Sequence, residues 1–382
     1  MIRFLTAGES HGPALTAIVE GAPAGLAIDV EGLADELSRR RLGHGRGPRM
    51  RLERDEVEIL GGVRFGRTLG GPVSVLIRNT EWDRWAEEMS PAEGSSRKLM
   101  TAPRPGHADL PGMMKYDTHD ARNILERASA RETAARTIAG YVAKILLAEV
   151  GVTVMSHVVQ IGTVAASSEA PGPEDFSRID DSPVRCLDSA AELEMIATID
   201  AAKEDRDTLG GVVEVLALGV PAGIGSHVHW DRRLDTAIGA GLMSIQGIKG
   251  VEIGDGFASA ARSGSEAHDE IRPADGAYER LTNRAGGLEG GISNGAVIRA
   301  RAAMKPISTL MRPLATINVK TGEVAVAFRE RSDVCAVPAA GVVAEQMMAI
   351  AIAGEMQRVY GGDTVEAFAE ADTAHRRRLS EF

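Results

Sequence analysis

Two long stretches of helical periodicity constrain the folding of this 382-residue chain more than any other feature. From Asp120 to Val150 apolar residues recur at Ile124, Leu125, Ala128, Ala135, Ile138, Val142, Ile145 and Leu146, and a second such pattern runs from Val342 to Tyr360. Spacings of three and four residues gather one apolar stripe on each helix, and that stripe must be buried. Gly151 and Gly361 close the two patterns. Between them lie short strand-like runs. Asp55–Phe65 and Pro72–Ile77 read as antiparallel strands joined by glycine-rich turns, and a further hairpin is expected over Ala315–Phe328 with its turn at Lys320-Thr321-Gly322-Glu323.

No Pro/Ser-rich spacer or charge block divides the chain, so residues 1–382 are expected to form one domain, with a tail from about residue 366 whose order the sequence leaves open. One internal echo is present. Gly21-Ala22-Pro23-Ala24-Gly25-Leu26 returns 198 residues later as Gly219-Val220-Pro221-Ala222-Gly223-Ile224. Either one turn is used twice, or two duplicated halves form a single two-layer unit.

The composition, 44% apolar and 25% charged, is that of a globular protein. No stretch approaches the roughly 18 uncharged apolar residues of a membrane span, and the first residues lack the pattern of a signal peptide, so a cytoplasmic location is expected. Cys186 and Cys335 are expected as buried free thiols. A net charge of −11 argues against nucleic acid as a partner. Yet of 43 basic residues 36 are arginine, and seven of these (Arg39, Arg40, Arg41, Arg46, Arg49, Arg51, Arg54) fall within sixteen positions. The first three end a helix over about Val30–Arg41, stopped by Gly43; Arg46 and Arg49 lie in a glycine-rich loop suited to wrap an anion.

Four further segments carry chemistry. Gly8-Glu9-Ser10-His11-Gly12 matches the nucleophile elbow of serine hydrolases, but a strand-like run rather than a helix follows it, which leaves His11 as an acid/base candidate. Pro103-Arg104-Pro105-Gly106-His107-Ala108-Asp109 stiffens the backbone around an arginine and a histidine. Arg127 and Arg131, four apart in the first long helix, either clamp a phosphate near Ser129 or pair with Glu126 and Glu132 on a wet surface; taken alone, the wet surface is the stronger reading. Gly286–Gly295 holds five glycines in ten residues, either a backbone approaching a ligand or a plain loop. The segment from about 80 to 115 is long enough to be a lid or a binding loop. No metal site is expected: His227 and His229 have no acid or thiol at ligand spacing.

These motifs, with Lys305-Pro306-Ile307 and Arg331-Ser332-Asp333 downstream, resemble chorismate synthases in order and spacing over roughly residues 1–365. The resemblance implies an α/β (α+β) sandwich with internal pseudo-symmetry, helices packed with antiparallel sheets, assembled as a homotetramer. It implies a lyase of the shikimate pathway that eliminates phosphate from 5-enolpyruvylshikimate 3-phosphate in a 1,4-anti sense, using reduced FMN without net redox change. By resemblance Ser10, Arg40, Arg49, Arg104, Ser129, Arg131 and Arg331 hold the substrate. His11 protonates the departing phosphate, His107 faces the reduced flavin, and Asp333 assists removal of the C6 hydrogen. Flavin contacts transfer to Arg127, Ala128, Ser129, Gln246, Gly247, Gly290, Lys305, Pro306, Ile307, Ser308, Thr309 and Arg331. Arg40 and Arg46 match positions that meet NADPH in members reducing their own flavin. Without a separate dinucleotide fingerprint, a separate flavin reductase is the preferred source here. Ala128, Gly247 and His44 depart from the usual Ser, Ala and Tyr. Two rivals remain, a flavin-dependent oxidoreductase with net electron transfer and a noncatalytic anion- or RNA-binding protein using the Arg39–Arg54 segment.

Overall fold

The two larger sheets share one wiring. In this computed structural model, which describes residues 1–47, 55–167, 170–274, 277–330 and 332–382, the first sheet contains β1 (Arg3–Ala7), β2 (Ala14–Glu20), β3 (Val57–Gly61) and β4 (Val73–Arg78), in the order β1-β2-β4-β3. The second contains β5 (Thr153–Ile161), β6 (Gly211–Leu218), β7 (Ile248–Ile253) and β8 (Ile298–Met304), in the order β5-β6-β8-β7, with a two-residue strand beyond β5. All these pairings are antiparallel. The helices that matter are α1 (Val30–Arg41), α2 (Asp109–Lys115), α3 (Arg122–Ala128), α4 (Thr133–Ala148), α5 (Leu234–Met243), α6 (Val337–Tyr360) and α7 (Val365–Ser380). In each half a helix, α1 or α5, joins the second strand to the third, and a long helix, α4 or α6, follows the fourth.

The long helices form the inside of the sandwich. α4 packs on β1 and β2, α6 packs on β5 and β6, and α4 and α6 pack on each other, giving layers of sheet, helix, helix and sheet. Leu15, Ile77, Ile138, Leu146, Val215 and Ile352 are all within one buried cluster. The echo is structural. Thr68 Oγ1 accepts from the Leu26 N–H at 2.9 Å and donates to the Pro23 carbonyl, while Ser293 Oγ accepts from Ile224 at 2.9 Å and donates to Pro221. One hydroxyl thus staples the repeated hexapeptide in each half, which decides for duplication over a turn used twice.

Three expectations need correction. The 120–150 helix is broken: Ser129 adopts φ −63°, ψ 141°, and its hydroxyl caps the Arg131 N–H of a single 3-10 turn before α4 begins. The second long helix begins at Val337, where Pro338 suits a first turn. It is also long and apolar enough to cross a membrane, against the expectation that no stretch approaches this. Of its most apolar window, 83% is buried inside the protein, as befits a core helix. The tail is a helix: Phe368 of α7 is buried, His375 donates to the Ala222 carbonyl at 2.7 Å, and Arg376 donates to the carbonyls of Val150 and Gly219. Both cysteines are buried free thiols.

α6 carries one fully buried acid. Glu345 accepts from Arg39 at 2.8 Å, Lys144 at 3.1 Å, Arg185 at 2.9 Å and Ser156 at 2.8 Å, tying α1, α4 and β5 to the core helix. Burial pushes its carboxyl up, but the three cations outweigh this and hold it well below the carboxylate range. Removing it strands buried cations, so Glu345→Ala should lose about 3–5 kcal/mol of unfolding free energy in urea titrations at neutral pH. The wild-type advantage, full above the unfolded carboxyl pKa, should shrink as pH falls.

Candidate active site

A cleft of about 940 Å³ opens where the two halves meet. Its wall is built from the β1–β2 turn, the end of α1, the 80–115 segment, the break at Ser129, the start of β7, the segment after β8 and the start of α6. Among the described residues, eight lysines and arginines line it against two acids, Glu330 and Asp333, although the chain as a whole is acidic. The volume lies at the upper end of the range of about 300–1,000 Å³ for small-molecule sites.

The turn 8–12 is held from below. The Asn79 amide donates to the carbonyls of Glu9 (3.1 Å) and Gly12 (2.8 Å), and the Ser10 N–H donates to the Glu126 carbonyl. A hairpin turn between strands is no hydrolase elbow. The His11 ring nitrogen Nδ1 lies 2.9 and 3.0 Å from the two Glu126 oxygens, and the ring lies against Trp85 with centroids 4.2 Å apart. Burial pushes the Glu126 carboxyl up, but bonds from His11 and the charge of Arg122 bring it below its usual range. The wet-surface reading of this segment holds for Arg127, which is exposed and lies 3.9 Å from Glu132, and fails for Glu126 and Arg131, which are buried. Because the helix breaks at Ser129, Arg127 and Arg131 part company. Arg127 turns to Thr6 and the Gly8 carbonyl. Arg131 is buried, pairing with Asp55 and donating to Asn79 Oδ1 at 3.0 and 3.1 Å.

Asp55 anchors the arginine cluster. Its carboxylate also lies 3.4 Å from Arg40 and Arg41. Burial and the neighbouring charges of Arg131 and Arg46 outweigh Asp55 at Arg40, lowering its guanidinium to about 10. Arg46 follows in the glycine loop and pairs with Asp333 at 2.7 Å, whose other oxygen accepts the Gly47 N–H at 2.6 Å. That loop is pressed against the second half. Gly45 has φ +84°, and a side chain there would come within 2.9 Å of Ile199.

The second histidine is held in the same manner as the first. His107 Nδ1 meets Asp109 at 2.5 Å, and Asp109, fully buried, also accepts from Arg104 Nε at 2.8 Å. Arg104 reaches Thr309 Oγ1 at 2.8 Å. Lys305 Nζ donates to the Gly106 carbonyl (2.8 Å) and Ser308 (2.7 Å), so the 305–309 segment and the 104–109 loop form one wall. Burial pushes Asp109 up, yet bonds from His107 and Arg104 hold it down to about 2.

Of the residues expected from sequence, Ser10, His11, Arg40, Arg46, Arg104, His107, Ala128, Ser129, Arg131, Gln246, Gly247, Lys305–Thr309 and Asp333 line this cleft. Arg127 and Gly290 are not in its lining, and Arg49 and Arg331 lie outside the described residues. The glycine-rich 286–295 stretch packs on its own chain: a side chain at Gly287 would meet the Val297 carbonyl at 2.6 Å. His44 pairs with Asp200 at 2.8 Å, away from the cleft lining. Sequence reasoning missed Asp55, Asn79 and Trp85, gave Glu126 only as a surface partner of the neighbouring arginines, and quoted Asp109 without a role. The place of Trp85 in the long 80–115 segment was the one available signal.

A family model described as chorismate synthase matches residues 2–356. The chain belongs to the chorismate synthase family. It is 60% identical over 375 residues to the chorismate synthase of Acidothermus cellulolyticus and 58% identical to that of Salinispora tropica, each alignment covering 96% of both chains. A solved structure titled "Crystal Structure of Chorismate Synthase" superposes with a TM-score of 0.80 at 41% identity, over 100% of this chain and 99% of that one. The protein is thus an enzyme, a lyase of this family, with the family's mixed helix and antiparallel-sheet fold.

The depressed Asp109 has a thermodynamic consequence. A folded pKa of about 2 against an ordinary 3.8 stabilises the fold by about 2 kcal/mol above pH 5, and this is lost as pH falls from about 4 towards 2. Urea midpoints measured from pH 7 to pH 2.5 should fall more steeply for wild type than for Asp109→Asn.

Proposed function

We propose that this enzyme converts 5-enolpyruvylshikimate 3-phosphate to chorismate and phosphate by 1,4-anti elimination, with reduced FMN and no net redox change. The observation that carries this reading is a cationic cleft in an acidic chain, with two carboxylate-held histidines in its wall. A substrate bearing a phosphate and two carboxylates needs several planar forks, which Arg40, Arg104 and Arg131 supply beside the hydroxyls of Ser10 and Ser129. Arg49 and Arg331 complete this set by resemblance.

His11 is the proton donor to the departing phosphate, since expelling a less charged phosphate lowers the barrier. Asp333 assists removal of the C6 hydrogen, and His107 faces the flavin. The residues fit such a cofactor. Gln246, a residue of the cleft lining, has a buried Oε1 acceptor without a hydrogen-bond partner, and Arg40 and Arg46, also in the lining, have unpartnered buried Nε–H groups. Ala128, Ser129, Gln246, Gly247 and Lys305–Thr309 would hold it, and when bound it supplies the electron density that eases C–O cleavage. Without a separate dinucleotide fingerprint in the chain, reduced flavin delivered by a separate reductase belongs to this reading. A homotetramer belongs to the same reading.

The test is anaerobic, with photoreduced FMN and the proposed substrate. Chorismate and phosphate should appear in equal amounts while the flavin stays reduced over many turnovers. Flavin oxidation in step with product would replace elimination by net electron transfer. His11→Ala and His107→Ala should each lower turnover roughly 10²–10⁴-fold with unchanged circular dichroism, and a near-normal rate in either would remove that residue's role.

A further inference from the structure

We propose that Glu126 is the positioning residue for His11. Held by Arg122, it fixes the ring proton on Nδ1, so that Nε2 is the nitrogen that gives its proton away. The catalytic half of this inference rests on His11 being the acid of the proposed elimination; the tautomer does not.

The geometry is over-determined. Glu126, 3% exposed, has one oxygen, Oε2, accepting the His11 backbone N–H at 2.8 Å. Its other oxygen, Oε1, accepts from Arg122 Nη1 at 2.6 Å, and His11 Nδ1 faces both oxygens, 2.9 Å from Oε1 and 3.0 Å from Oε2. An ionised carboxylate only accepts, so the ring nitrogen facing it must carry hydrogen in both the neutral and the charged ring. Trp85 closes the site from the other side, its indole against the His11 ring and 4.7 Å from the Arg122 guanidinium carbon. Backbone, ring and cation converge on one acid, and the proton that can leave is the one on Nε2.

An amide in the same place cannot serve all three donors. The backbone N–H of His11 is fixed and requires oxygen at the Oε2 position. Arg122 can move, with Glu330 already 3.5 Å away. In Glu126→Gln the amide nitrogen therefore takes the Oε1 position, 2.9 Å from Nδ1, where it donates to a bare Nδ1 and repels a hydrogen there; Nδ1 lies slightly farther, 3.0 Å, from the retained oxygen, which already accepts the backbone N–H, so the ring is biased towards accepting at Nδ1. The neutral ring then carries its proton on Nε2, and the doubly protonated ring that an acid needs is disfavoured. Glu126→Asp keeps an acceptor and should restore the tautomer.

The experiment uses the full-length enzyme with ¹⁵N-labelled histidine, the His11 signals being assigned by their loss in His11→Ala. In the neutral ring of wild type and Glu126→Asp, Nδ1 should give a protonated, pyrrole-type signal, and in Glu126→Gln a bare, pyridine-type one. Glu126→Gln should also lose roughly 10²–10⁴-fold in kcat with KM within about threefold. A wild-type ring bare at Nδ1 overturns the proposal without any variant having to fold. So does a Glu126→Gln enzyme that keeps more than a third of the wild-type kcat while His11→Ala is inactive. Normal turnover by His11→Ala instead overturns the acid role itself, and so marks the failure of the broader reading.

Discussion

A guanidinium taken out of water costs several kcal/mol unless an acid faces it, and Arg40, Arg104 and Arg131 are 3%, 7% and 4% exposed. The cleft exists because acids stand behind these cations. Asp55 serves Arg40 and Arg131, Asp109 serves Arg104, Glu126 serves Arg122, and Asp333 serves Arg46. Each acid but Asp333 is itself buried, so its charge is paired inside the protein rather than spent on water. A lysine, with one rotatable point charge, could not face a carboxylate on one edge and a ligand on the other as a flat five-donor fork does. The preference for 36 arginines over 7 lysines has a physical use at these positions, whatever its origin elsewhere.

The duplicated frame explains why the acids and cations come from distant parts of the chain. Two sheets of one wiring, each backed by its own long helix, meet through α4 and α6, and the cleft lies at the ends of that seam. The first half contributes the β1–β2 turn, the end of α1 and the Ser129 break. The second contributes Gln246, the 305–309 segment and Asp333. Glu345, buried in α6, locks Arg39 one residue before Arg40, so the same helix end that is fixed to the core also presents a cation to the cleft.

Much of this was legible in the sequence because it is local. Strand runs, the hairpin over 315–328, the staple hexapeptides and the loops bearing His11 and His107 all carry their pattern within a few residues. The break at Ser129 was not legible, since apolar spacing continues across it from Leu125 to Ala135 while the backbone is diverted by one side-chain cap. Asp55 was not legible for another reason. Its partners are 15 and 76 positions away, and nothing at residue 55 marks it apart from a positive φ of 49° that only the fold reveals. Of the glycines of 286–295, Gly287 closely approaches Val297 and neighbouring backbone, whereas a side chain at Gly290 would meet nothing within 4 Å. The family's motifs gave the site by likeness where local physics alone left alternatives open.

What remains unpaired in the cleft follows from the same electrostatics. Acids pair with these cations but leave some of their buried polar atoms unpaired: the Nε atoms of Arg40, Arg46 and Arg122 have no hydrogen-bond partner, and Gln246 Oε1 is an acceptor without a donor. Each such buried atom costs on the order of 1–3 kcal/mol, a cost that natural folds tolerate mainly at functional sites. Complete compensation would have removed it. Absence of compensation would have expelled the arginines to solvent, where their attraction for a phosphate is weakened by water and salt. Incomplete pairing is the arrangement that keeps the forks buried and oriented, and it is why the acids behind them matter as much as the arginines that were found.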